Sequence, residues 1–158
     1  MKSRIVLFTL SSLLVLPVVA LADPSPNASA KAHGDHEHTE LEEHMEKIGR
    51  AFRALQRQIA DPAKNEESLK LVGTMRQNAE ASIHLEPQKL AEVPADKRAA
   101  FLAAYRDGMK GMVSGLEALE SALKAGDNAK AGERVQQLKK GMEDSHKQFK
   151  KEKKKEKK

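Results

Sequence analysis

The chain contains 158 residues, no cysteine, and 28 Lys and Arg against 23 Asp and Glu. The absence of cysteine excludes disulfide bonds, thiolate metal ligands and any cofactor attached through cysteine. The basic excess does not indicate a nucleic-acid partner, because eight lysines and only two acidic residues crowd into residues 147–158 instead of forming a basic face on a folded domain.

Residues 1–22 have the organisation of a secretory signal peptide. Two basic residues precede an apolar segment at 5–19, and an A-x-A cleavage site ends at Ala22. The apolar segment is too short for a membrane-spanning helix with stop-transfer charges. We therefore expect a mature protein that begins near Asp23, is exported to the periplasm and has no stable insertion in the membrane.

Residues 23–38 are predicted to form a flexible leader, because their prolines, glycine and small polar residues leave little to bury. The leader holds three histidines beside two carboxylates: His33, His36 and His38 with Asp35 and Glu37. Imidazole and carboxylate groups bind zinc, copper or nickel ions, but a disordered segment must first be ordered, which lowers its affinity. A metal role for the leader stays open.

The first predicted helix runs from Thr39 to about Ala60 and carries one apolar stripe. Its apolar residues recur at steps of three and four: Leu41, Met45, Ile48, Phe52, Leu55 and Ile59. Thr39 followed by Glu42 predicts a capping box at the helix start. Pro62 ends the pattern, because proline cannot continue the helical hydrogen bonds.

A second helix is predicted from Asn65, as its N-cap, to about His84. Its apolar stripe is weaker than the first: Leu69, Val72, Met75, Ala79 and Ile83. Gly73 lowers the stability of this helix further. A connection with two prolines then spans 86–94 and is the longest predicted loop between helices.

The third predicted helix, from about Ala95 to Ala125, has the most regular stripe. Its members alternate spacings of three and four: Leu102, Tyr105, Met109, Met112, Leu116, Leu119 and Leu123. Gly126 is a predicted C-cap, and Asp127 or Asn128 begins the fourth helix. The fourth stripe continues to the basic tail: Val135, Leu138, Met142, Ser145 or His146, and Phe149.

Four amphipathic helices with short connections and no strand pattern predict an all-α fold. The expected architecture is an antiparallel up-down-up-down four-helix bundle over residues 39–150. Residues 151–158 form a lysine-rich tail, predicted to be a solvated, frayed helix end. A role of this tail toward an acidic partner or anionic lipid stays open. We expect a monomer.

Met45 and His146 are candidate ligands because the bundle topology brings them to one end. The start of the first helix and the end of the fourth lie at the same end, and both residues continue their helix's apolar stripe. Taken alone, Met45 is more simply core packing, and His146 is more simply a hydrogen-bonded core histidine. Facing each other, a thioether sulfur and an imidazole nitrogen are the axial ligands of a six-coordinate haem iron.

Residues 41–149 resemble the cytochrome b562 family of soluble periplasmic four-helix haem proteins. The resemblance rests on four segments in the same order and spacing: LEEHMEKI, LVGTMRQNAEASIHLEPQKL, YRDGM and QLKKGMEDSHKQF. It implies one noncovalent haem b per chain, with Met45 and His146 as the iron ligands. It also implies electron transfer with a redox partner protein that the sequence does not identify.

The resemblance also implies which residues line the haem pocket, and at two of these positions this sequence differs from the family's usual residue. Met75, Tyr105 and Met109 stand at positions that line the pocket in the family, although an aromatic residue is usual at the position of Met109. Met142 completes the predicted site, but it stands one turn before His146, where the family has an arginine that helps to hold a haem propionate. These changes bear on haem affinity and reduction potential more than on fold or ligation.

The alternative is a haem-free periplasmic bundle that handles copper or zinc or acts in stress. Its donors for a copper ion would be thioethers and imidazoles: Met45, Met75, Met109, Met112 and Met142, with His44, His84 or His146. A di-iron carboxylate site fits poorly, since only Glu143 and His146 have the Glu-x-x-His spacing. No nucleophile is paired with a base. We therefore predict no enzyme activity.

Overall fold

The computed structural model describes residues 39–151, and these residues form four α-helices with no β-strand among them. The helices are α1, Glu40–Gln58; α2, Asn65–Ser82; α3, Arg98–Lys124; and α4, Asn128–Phe149. The predicted all-α, antiparallel four-helix bundle is confirmed. The predicted signal peptide and leader, and most of the lysine-rich tail, lie outside the described residues. None of these helices has the length and apolar character needed to span a bilayer.

The first helix, α1, begins with the predicted capping box. The Glu42 N–H donates to the Thr39 hydroxyl at 3.3 Å, and the Thr39 N–H donates to the Glu42 carboxylate at 3.1 Å. Two N–H groups that lack a helical partner at the helix start are thereby satisfied. Beyond α1, the Asp61 carboxylate accepts from the Ala63 N–H at 3.0 Å and starts the short 3₁₀ turn Pro62–Lys64.

The prediction that Asn65 is the N-cap of α2 is wrong. Its backbone angles, φ −61° and ψ −37°, are already helical because the preceding 3₁₀ turn leads straight into α2, whereas an N-cap needs an extended backbone. The Asn65 side chain instead exchanges two hydrogen bonds with Asn128, at 3.1 and 2.8 Å. Asn128 also donates to the Ile59 carbonyl at 2.9 Å. Asn128 therefore joins the end of α1, the start of α2 and the start of α4.

The connection between α2 and α3 is more regular than the predicted loop. It contains two 3₁₀ turns, Gln88–Glu92 and Ala95–Lys97. The second turn is closed by a bond from the Lys97 N–H to the Pro94 carbonyl at 2.9 Å, and such i to i+3 bonds delay the start of the α-helix. Consequently α3 begins at Arg98, three residues later than predicted.

Gly126 follows α3 as predicted. Its φ of +71° lies in the left-handed region, which favours glycine. The Gly126 N–H donates to the Leu123 carbonyl and the Asp127 N–H to the Ala122 carbonyl, both at 3.0 Å, which is a Schellman motif. The Asp127 carboxylate then accepts from the Lys130 N–H at 2.9 Å and caps α4. This tight turn lets α4 fold back beside α3.

The predicted stripes form the bundle core. Its most enclosed large side chains are at most 2% exposed: Ile48, Leu55, Val72, Met75, Leu116, Leu119, Leu123 and Val135. α3 and α4 approach closely at Gly115, where an added Cβ would lie 2.9 Å from Leu138 Cδ2. Other stripe residues are only half-buried: Met45, Ile59, Leu102, Met112 and Met142.

The four helices do not pack equally. Each helix packs closely on the next along the chain, whereas the backbones of α1 and α4 scarcely approach each other. Asn128 ties the end of α1 to the start of α4. At the opposite end of this pair, Met45 and Met142 are half-buried and His146 is exposed. We call this end of the α1–α4 pair the mouth, and define it by Met45, Met142 and His146.

Candidate functional site

Side-chain contacts between successive helices show which helix ends lie together. His44 Nδ1 lies 2.8 Å from Asn78 Oδ1, which links the start of α1 to α2. The Tyr105 hydroxyl donates to the Ser82 carbonyl at 3.0 Å, which links α3 to the end of α2. Phe149, at the end of α4, packs edge-on against Tyr105 with ring centroids 5.5 Å apart. The start of α1 and the end of α4, which carry the two candidate ligands, are therefore at the same end of the bundle.

The two candidate ligands differ in exposure. Met45 is half-buried and packs against the core. His146 is exposed, and thus less enclosed than its stripe predicts; it lies on α4, whose backbone scarcely approaches that of α1. Partial burial of the ring, and secondarily the Lys150 ammonium, still lower the pKa of His146. This favours the neutral imidazole, the form that binds metals; ligation by either residue stays a prediction.

Three other predicted site residues lie in the core. Met75, Tyr105 and Met109 are 1, 5 and 6% exposed, so α2 and α3 present two thioethers and one aromatic ring to the bundle interior. Met142 adds a half-buried thioether at the mouth. These residues therefore contribute three polarizable thioethers and one aromatic ring to the bundle. Contact of these four residues with a cofactor stays a prediction.

Tyr105 links the ends of three helices. Besides its hydrogen bond to Ser82 on α2, its ring contacts Phe149, whose ring in turn lies 5.2 Å from that of Phe101. Burial raises the pKa of Tyr105 to about 12, so the phenol keeps its proton and remains a donor well into the alkaline range. The three aromatic rings anchor the last turn of α4 to α3, and this turn carries His146.

Sequence reasoning missed a row of buried polar groups near the start of α1. Asn78 and Ser82 are 8 and 0% exposed; the Asn78 amide donates to the Thr74 carbonyl at 2.7 Å, and the Ser82 hydroxyl to the Asn78 carbonyl at 2.8 Å. His44 is half-buried against Asn78, whereas His84 is exposed. The spacing of four between the polar residues of α2 was a visible clue, since it puts them beside its apolar stripe.

The part of the chain that the structure describes contains no metal site built from His, Cys, Asp or Glu side chains. No group of three or more His, Cys, Asp or Glu side chains between residues 39 and 151 is placed to hold a metal ion. The histidines of the leader lie outside the described residues. The donors that remain at the mouth are the thioethers of Met45 and Met142 and the imidazole of His146.

Comparison with known protein families gives a match over most of the described chain. The Cytochrome b562 family model matches residues 40–150, a range that includes all four helices, the mouth and the buried polar row. No curated protein matches the chain.

Proposed function

Because the chain belongs to the cytochrome b562 family, we propose that it is a periplasmic electron carrier that holds one noncovalent b-type haem. The family is one of haem-binding cytochromes of the electron-transfer type. The observation that carries the proposal is the match over residues 40–150, because it covers both candidate ligands and every helix that would enclose a cofactor. Electron transfer needs no further chemistry from the chain, so we propose no enzyme activity.

We propose that Met45 and His146 would hold the haem iron. A haem supplies four of the six ligands of its iron, so the protein needs to supply only two. A thioether and a neutral imidazole suit this iron, and the thioether favours its reduced form. The two residues lie at the same end of the bundle on α1 and α4, the one neighbouring pair whose backbones scarcely approach each other among the described helices. The residues present therefore fit the group.

The other predicted residues would shield the iron rather than bind it. When bound, haem supplies a reversible one-electron couple. Met75, Met109 and Tyr105 are buried and would exclude water on the core side, which helps to set the reduction potential. The exposed position of His146 leaves the mouth accessible from outside the bundle. An accessible mouth supports electron exchange with a redox partner protein.

The remaining segments complete the proposal. Residues 1–22 would be removed as a signal peptide, and residues 23–38 would be a leader without a part in haem binding. Residues 39–150 would be the haem domain, which we propose to be monomeric, and 151–158 its basic tail. The exported location rests on the signal-peptide pattern alone.

One absorption spectrum tests the proposal. The protein is exported from a haem-sufficient host, purified and reduced with dithionite. We expect red protein whose reduced spectrum has the split, sharp bands of a low-spin six-coordinate b haem. Colourless protein that ignores added haemin but takes up copper or zinc stoichiometrically would overturn the proposal and support the metal-handling alternative.

A further inference from the structure

We propose that Lys139 and Lys150, which flank His146 along α4, bind the carboxylates of the haem. The inference rests on the proposed function and adds to it an anion-binding site on α4. Met142 is uncharged and stands where the family has an arginine. The two lysines would supply the positive charge that is missing at this position.

Asn128 marks the side of α4 that faces α1 and α2, because it donates to the Ile59 carbonyl at the end of α1 and exchanges two hydrogen bonds with Asn65 at the start of α2. His146 follows Asn128 by 18 residues of one continuous helix, which is about five full turns at roughly 3.6 residues per turn. His146 therefore lies on the same side of α4 as Asn128. Leu138 and Phe149 point elsewhere, since both contact α3.

Lys139 and Lys150 share this side of α4. Lys139 precedes His146 by seven residues within α4, and Lys150, the C-cap residue directly after α4, follows it by four. Positions at these spacings lie on one face of a helix. The distances along the axis are roughly 10 Å and roughly 6 Å. Lys150 donates its N–H to the His146 carbonyl at 3.1 Å, which fixes the position of its backbone beside His146. Both ammonium groups are thus within reach of anions held beside the imidazole.

Neither lysine is engaged by a carboxylate in the described part of the chain, and both are exposed. By contrast, Lys147 pairs with Asp144 at 3.3 Å. Glu143 lies between the two lysines on the same side, so this strip of α4 carries one net positive charge. A strip with two free ammonium groups attracts a cofactor that brings two carboxylates.

The chemistry of lysine suits this role. The lysine ammonium is a point charge on a flexible four-carbon stem and can follow a carboxylate, whereas the arginine guanidinium is planar and binds a carboxylate through two parallel N–H groups. Met142 offers a thioether at the arginine position and cannot pair with an anion. The competing interpretation is that both lysines are ordinary solvated residues of an exposed helix face, and the experiment below separates the two.

The test compares haem with its dimethyl ester, which keeps the iron and macrocycle but lacks both carboxylates. The haem-free, full-length mature protein is titrated with each form, and the two dissociation constants are measured by absorbance. The test variant is Lys139→Gln with Lys150→Gln. The control is Lys130→Gln with Lys140→Gln, which removes the same charge from other sides of α4. Met142→Arg is then added to the test variant.

We expect the wild type and the control to bind haem about tenfold more tightly than the ester, a size typical of two exposed ion pairs. The test variant should lose this preference through weaker binding of haem alone, and Met142→Arg should restore it. An unchanged preference in the test variant, or an equal loss for both forms, would overturn the lysine site. A wild type that binds neither form would overturn the proposed function and the lysine site with it.

Discussion

Met45 and His146 would act on the iron in different ways, although topology puts them at the same bundle end. A neutral imidazole is a strong donor to both oxidation states, whereas a thioether is a soft donor that favours ferrous iron. Met45 is also half-buried against the core, so its removal affects packing as well as ligation. The two effects need separate controls.

Met45→Ala should retain haem but lower its reduction potential and make it partly high-spin, because one axial position opens to water. Met45→Leu is the control that keeps most of the packing and removes the sulfur, and it should behave in the same way. His146→Ala should lose most of its haem affinity. Absorption spectra and a spectroelectrochemical titration measure these effects. If Met45→Leu left spectrum and potential unchanged, Met45 would be core packing, and His44 or Met75 would become the candidate sixth ligand.

Tyr105 should titrate far above the usual range of tyrosine. Burial raises its pKa to about 12 in the folded chain, against about 10 in an unfolded one. Because Tyr105 is the single tyrosine and the chain has no tryptophan, absorbance at ~295 nm reports this one phenol. The titration midpoint of the phenol should lie near pH 12 in the haem-free native protein and near pH 10 in the protein unfolded by urea. A native midpoint near 10 would contradict the buried hydrogen bond to Ser82.

The same pKa difference predicts a loss of stability in alkali. Between about pH 10 and 12 the unfolded state gives up the phenol proton while the folded state keeps it, so the free energy of unfolding falls by about 1.4 kcal/mol per pH unit. Below about pH 10 the phenol is neutral in both states and the effect is absent. Tyr105→Phe should remove this part of the slope, which separates it from lysine titration in the same range. Urea unfolding at stepped pH measures both proteins.

The helices show which features of the fold are local enough to be predicted from sequence. Stripes at spacings of three and four predicted all four helices and their buried faces, and local residue chemistry predicted the capping box at Thr39 and the turn at Gly126. The role of Asn65 could not be predicted in this way, since its partner Asn128 lies 63 positions away. The exposure of His146 depends on the distance between α1 and α4, which no pattern within α4 encodes.

Asn128→Ala should destabilise the haem-free bundle by about 1–3 kcal/mol, because it leaves the Ile59 carbonyl and the Asn65 amide without their partner in a partly buried place. Asn65→Ala should cost less, since the bond from Asn128 to Ile59 remains. Urea unfolding compares the two variants with the wild type. A loss below about 0.5 kcal/mol for Asn128→Ala, the size of an ordinary surface substitution, would show that this amide cluster does not hold the helix ends together.

Taken as a whole, the bundle is unevenly closed. Successive helices pack on one another, whereas α1 and α4 are joined by Asn128 at one end and scarcely approach each other elsewhere. Packing of α1 on α2 and of α4 on α3 keeps the bundle together although the backbones of α1 and α4 scarcely approach each other. We therefore expect the haem-free protein to fold, with the first turns of α1 and the last turns of α4 opening locally more often than the rest.

Haem binding should protect those two segments most. A ligand that binds only the native state at about 1,000 times its dissociation constant adds about 4 kcal/mol to the free energy of unfolding. If Met45 and His146 hold the iron, a local opening at either residue would also break an iron bond and would become rare once haem is bound, whereas the amides in the middle of α2 and α3 should be protected in both states. Amide exchange with and without haem, read by mass spectrometry at short labelling times, should therefore slow chiefly in residues 40–48 and 138–149. Slowing that is equal in all four helices, or confined to α2 and α3, would place the cofactor away from the mouth.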